Sequence, residues 1–98
     1  MMADEVEDDN IIFVGTKAPM NYVVAVLTEF KKNNEVIIKA RGRSISKAVE
    51  TGLLVQKKFM KEAEIIEIKV DLENIIDDKT QKPMDIPAIE IYLATPEK

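Results

Sequence analysis

The spacing of apolar positions changes several times along this chain, and each change marks an element. Ile11-Ile12-Phe13-Val14 is an unbroken apolar run closed by Gly15, which predicts a first strand buried on both faces at the centre of a sheet. Pro19 suits the first position of a helix. After it Met20, Val23, Val24, Leu27 and Phe30 recur at helical spacing as one buried stripe, and Lys31, Lys32, Asn33 and Asn34 end the helix. Glu35 to Arg41 is short, β-branched in its middle and closed by Gly42, a second strand. Ser44 can cap a second helix running to about Lys61, with Ile45, Ala48, Val49, Gly52, Val55 and Phe59 on its inward face. Gly52 on that face implies close packing against a neighbouring backbone. From Glu64 to Glu73 the period is two: Ile66, Ile68, Val70 and Leu72 alternate with Glu67, Lys69, Asp71 and Glu73, giving a third strand with one wet face. Asn74 to Pro87, polar and carrying Pro83, predicts a projecting hairpin; Ile89, Ile91 and Leu93 form the fourth strand, and Thr95 to Lys98 a frayed end.

The order βαβαββ with right-handed crossovers implies an α/β two-layer sandwich. Both helices lie on one face of a mixed four-stranded sheet, and the other face is left apolar and only partly covered. Ninety-eight residues suffice for a single domain, expected over residues 10–98. Ahead of it stands MMADEVEDD, with five acids and no cation, expected as a disordered acidic tail that either solubilises the chain or competes with phosphate for its own basic site. It has the pattern of neither a signal nor a transit peptide, and no apolar run approaches the roughly 20 residues of a membrane helix. The expected location is cytoplasmic.

Charge changes the picture once its distribution is considered. The net charge of −4 argues against a polyanionic partner, yet beyond residue 9 fourteen cations face thirteen acids. The segment Lys39-Ala40-Arg41-Gly42-Arg43-Ser44-Ile45-Ser46-Lys47 holds four cations and no acid. Arg43 and Lys47 fall where the dipole of the second helix disfavours positive charge, so stability alone does not explain them. Two readings stand: a solvated turn, or an anion site in which backbone N–H groups and cations act on one phosphate, with Gly42 letting the backbone come close. Gly15-Thr16-Lys17-Ala18-Pro19 repeats the arrangement ahead of the first helix, where Ala18 offers no capping oxygen. In a parallel βαβ unit both loops leave the same sheet edge, which brings Lys17 near Arg41 and Arg43.

Catalysis finds little support. The chain has no cysteine and no histidine, which removes thiolate nucleophiles, imidazole bases and Cys/His zinc sites, and its glycines form neither a Walker loop nor a dinucleotide fingerprint. Asp77, Asp78 and Asp85 are most simply solvated loop acids, and no metal or cofactor is expected. Tyr22 and Tyr92 are too few and too separated for stacking platforms and suit core or rim positions.

The segments Met20-Asn21-Tyr22-Val23 and Ile38-Lys39-Ala40-Arg41-Gly42-Arg43-Ser44-Ile45-Ser46-Lys47-Ala48-Val49 closely resemble the Alba family of archaeal chromatin proteins. The likeness spans roughly residues 10–95. It implies a fold similar to the C-terminal domain of a bacterial translation initiation factor, and a non-enzymatic homodimer that binds double-stranded DNA, and often RNA, in association with the chromosome. It also assigns Lys17, Arg41, Arg43 and Lys47 to the nucleic-acid surface and makes the hairpin an arm directed to the minor groove; Gly42 is expected on the same surface, with Lys39, Lys79 and Lys82 assisting. Phe59 would make contacts between neighbouring dimers. Dimerisation is expected through the apolar sheet face and second helix. Unlike the family's basic members, this chain has a pI of about 4.9. Thr16 replaces the loop lysine best known for acetylation, leaving Lys17 as the modification candidate, and the hairpin carries three aspartates. These departures imply a weaker, more selective binder. The rival readings are an RNA-binding subunit of a ribonucleoprotein and a protein-interaction module without nucleic-acid affinity.

Overall fold

A computed structural model describes residues 10–96; the acidic tail and the last two residues lie outside the described part. The elements are β1 (Ile11–Phe13), α1 (Pro19–Glu29), β2 (Glu35–Arg41), a 3-10 turn (Gly42–Ser44), α2 (Ile45–Leu54), a π-helical turn (Val55–Phe59), β3 (Glu64–Ile76) and β4 (Pro83–Ala94). The sheet has the order β1-β2-β4-β3. β1 pairs parallel with β2, while β4 lies antiparallel to both β2 and β3. Val23 and Val26 of α1, Ala48 of α2 and Val55 of the π turn meet Val36, Ile38, Ile91 and Leu93 of the sheet in one core, so both helices cover the same face.

Register and burial correct several expectations. β1 is an edge strand: Val14 is buried and Ile11 and Ile12 half-buried, but Phe13 faces water, 64% exposed. The buried side of α1 runs through Val23, Val26 and Phe30, leaving Met20 and Val24 exposed. α2 gives way at Val55 to the π turn, ending at Phe59 where the Met60 N–H reaches the Val55 carbonyl at 2.7 Å; Val49 and Phe59 are exposed. β3 and β4 continue into the expected hairpin as far as Ile76 and Pro83, so only Asp77 to Lys82 is turn. Thr95 is held by a 2.9 Å hydrogen bond from its N–H to the Asn34 carbonyl, so the end frays later than predicted.

The open sheet face is charged, not apolar. Residues directly opposite in a ladder share a face, and Lys39, Glu90 and Lys69 stand in one row across β2, β4 and β3. Apart from Phe13 and, on the ribbon, Met84, the uncovered apolar side chains of the sheet lie on the helix side instead. Ile68, Val70 and Leu72 stand opposite Ile91, Ile89 and Pro87, but β3 lies beyond the cover of the helices and Val70 is 75% exposed.

Candidate nucleic-acid interface

Three parts of the chain reach one edge of the sheet. The loop Gly15–Ala18 follows β1, and the turn Gly42–Ser44 follows β2, so the parallel pairing of the two strands delivers both to their C-terminal ends. The third part is the β3–β4 ribbon. Arg41, the last residue of β2, is level with Ala88 and Asp71, and the ribbon continues five residues further to Ile76. That is about 17 Å at the rise of a strand, projecting on the side of the two loops.

The loops are tied together. Tyr22, in the first turns of α1, points back along the helix as long side chains do, and its hydroxyl oxygen accepts the N–H groups of Gly15 and Lys17 at 2.9 and 3.0 Å. Burial pushes the Tyr22 hydroxyl up, but these two amides and the charges of Lys47 and Lys17 outweigh it, so it lies below its ordinary value. The Gly15 carbonyl in turn accepts Ser44 Oγ and Lys47 Nζ, both at 3.3 Å. Ser44 therefore bridges loops and does not cap α2: it is already helical, and the 3-10 turn starts from an extended Arg41. Gly42 has φ +53°, a left-handed conformation that turns the chain from strand to helix. As the sequence implied, Ala18 caps α1 without a side-chain bond, ahead of Pro19.

Of the eight residues singled out for this surface, Lys17, Gly42, Arg43 and Lys47 converge on the edge. Lys17 and Arg43 are exposed and, among the described residues, neither is in an ion pair, whereas Lys47 is spent partly on the Gly15 carbonyl. Arg41 stands at the same edge, but its Nε lies 2.7 Å from Glu73 Oε1 on β3. Lys39 is set back on the open sheet face, 3.3 Å from Glu90. The Glu90 carboxyl is held below its ordinary range, first by the Tyr92 hydroxyl that donates to it at 2.7 Å and, against the opposing effect of burial, also by Lys39. Lys79 and Lys82 are far out on the arm, in a turn organised by Asp77, which accepts the Thr80 hydroxyl at 3.0 Å. Phe59 lies in the π turn. Tyr22 and Glu73 were missed by sequence reasoning. Helical spacing from Pro19 could have suggested Tyr22, while Glu73 is recognisable only from the strand register.

Fold and edge together define a class: a two-layer α/β domain that offers two tethered βα loops and a long ribbon on one side, with no cluster of His, Cys, Asp or Glu among the described residues that could hold a metal. The chain belongs to the Alba family, whose model matches residues 10–71. It is 44% identical to the DNA/RNA-binding protein Alba of Methanocella arvoryzae over 91% of this chain and 93% of that protein. To the DNA/RNA-binding protein Alba 1 of Archaeoglobus fulgidus it is 47% identical, over 88% and 96%. The solved structure of Alba from Thermoplasma volcanium superposes with a TM-score of 0.81 at 44% identity, covering 87% of this chain and 99% of that one. The structure of ALBA1 from Trypanosoma brucei shares the fold, with a TM-score of 0.72 at 18% identity, over 91% of this chain and 71% of that one.

Proposed function

We propose that this protein binds nucleic acid without catalysis, laying duplex DNA or RNA against the sheet edge formed by the two loops and the ribbon. The observation that carries the reading is the convergence of Lys17 and Arg43 on one edge, outside any described ion pair, with the arm projecting beside them. The printed names of the relatives, DNA/RNA-binding protein, support both ligands. Lys17, Arg41, Arg43 and Lys47 hold phosphates, Gly42 gives them close approach, and Lys39, Lys79 and Lys82 assist. The protein acts as a homodimer, cytoplasmic and chromosome-associated. Exposed Lys17 is the modification candidate, and exposed Phe59 is available for contacts between dimers.

Binding is weaker and more selective than a strongly basic surface would give, because Arg41 and Lys39 each already face a carboxylate. With about four phosphates neutralised per protomer, affinity should fall roughly 150-fold between 50 and 200 mM salt. Fluorescence anisotropy of duplex DNA and hairpin RNA at the two salt concentrations tests this. Arg43→Ala combined with Lys17→Ala should weaken both ligands and flatten the salt dependence, with circular dichroism unchanged. Nanomolar binding indifferent to sequence at physiological salt would contradict the selectivity. No salt-dependent binding would favour the protein-interaction reading.

A further inference from the structure

The sheet face turned away from the helices carries a groove of about 550 Å³ that meets the docking edge at Arg41. Phe13, Lys39, Glu90 and Lys69 stand in one row across all four strands, and Arg41 stands two residues further along β2 on the same face. The row is continuous. Lys39 Nζ lies 5.6 Å from the centre of the Phe13 ring and 3.3 Å from Glu90, and Lys69 Nζ lies 5.2 Å from the ring of Tyr92. Phe13, left 64% exposed on an edge strand, contributes little to the core; what it offers is the face of its ring.

We propose that this groove binds an unpaired nucleotide of a single-stranded segment, with the base stacked on Phe13 and the adjoining phosphates taken by Lys39 and Arg41. Three features select this occupant. An unpaired base has a free π surface to place on an aromatic ring, whereas the bases of a duplex are already stacked on one another. Arg41 belongs to both groove and edge, and about 6.6 Å of strand separates it from the level of Lys39, so a strand leaving a duplex at the edge enters the groove without a break. The groove is also neutral overall, since Lys39, Arg41 and Lys69 are matched by Asp71, Glu73 and Glu90. It does not collect phosphate by charge alone, and the ring supplies the discrimination. The inference rests on the proposed function only for the class of its occupant.

The chain contains no tryptophan, so Phe13→Trp places one fluorophore in the groove. Titration with a single-stranded oligoadenylate should quench its emission, and a duplex of equal length should not. Phe13→Ala should lower single-strand affinity roughly tenfold while leaving duplex affinity unchanged. Phe13→Leu, which keeps an apolar side chain on β1 but removes the ring face, should behave like Phe13→Ala. The proposal is overturned if Phe13→Leu retains the affinity, if emission ignores the single strand, or if duplex and single strand quench alike. Failure of the unaltered chain to bind duplex, with quenching by single strands intact, would count against the docking edge and not the groove.

Discussion

The guanidinium of Arg41 meets the Glu73 carboxylate before it meets any phosphate. Both side chains are partly in water, where such a pair is worth about 0.2 to 1 kcal/mol, enough to tune affinity without abolishing it. Glu73→Gln removes the competitor. Anisotropy across a salt series should then show duplex affinity raised about 1.4- to fivefold and the log–log salt slope steeper by about 0.9, the signature of one more phosphate contact. An unchanged slope would mean that Arg41 does not reach the backbone. At this scale the sequence made Lys17, Arg41 and Arg43 legible together, because two βα loops of parallel strands must share an edge. Glu73 and Phe13 were not legible: each acquires its role from a partner on another strand, and no spacing along the chain encodes strand order.

Element boundaries were readable wherever period and punctuation agreed, as at Glu35 to Gly42. They failed where tertiary contacts decide. An apolar run of four residues reads the same whether its strand is central or at an edge, so β1 was misplaced, and the stripe of α1 was drawn over Met20 and Val24, which the sheet does not reach. A bulge between Ile65 and Glu67 shifts the register of β3, a feature that alternation alone does not announce. Gly52 was expected against a backbone, but a Cβ there would lie 3.7 Å from Ile38 Cδ1 and from Ile91 Cγ2, ordinary contact with side chains. Gly52→Ala should therefore fit and favour the helix. Thermal denaturation at fixed protein concentration should show a gain of about 0.4 to 1 kcal/mol, or about 2 to 6 °C in Tm.

For the whole molecule, the apolar strip of Ile68, Val70 and Leu72, together with exposed Val49 and Leu53 of α2, supplies the surface that a second copy would cover. Val70→Asp should shift sedimentation from dimer to monomer while leaving circular dichroism unchanged, since Val70 is 75% exposed in its own protomer; a monomer before the substitution would refute the homodimer. Two-layer architecture and strand number were legible in the chain, but which face stayed open and apolar was not, because that depends on how far the helices reach across the sheet. The ribbon beyond Arg41 has a different consequence. There β3 and β4 pair only with each other, so its amides answer to a local opening and not to the unfolding of the domain. In heavy water two clocks are expected: residues of β2 should exchange their protons on the slow time of the core and those from Leu72 to Pro87 on the fast time of the arm, and a ligand gripped by the arm should draw the second toward the first.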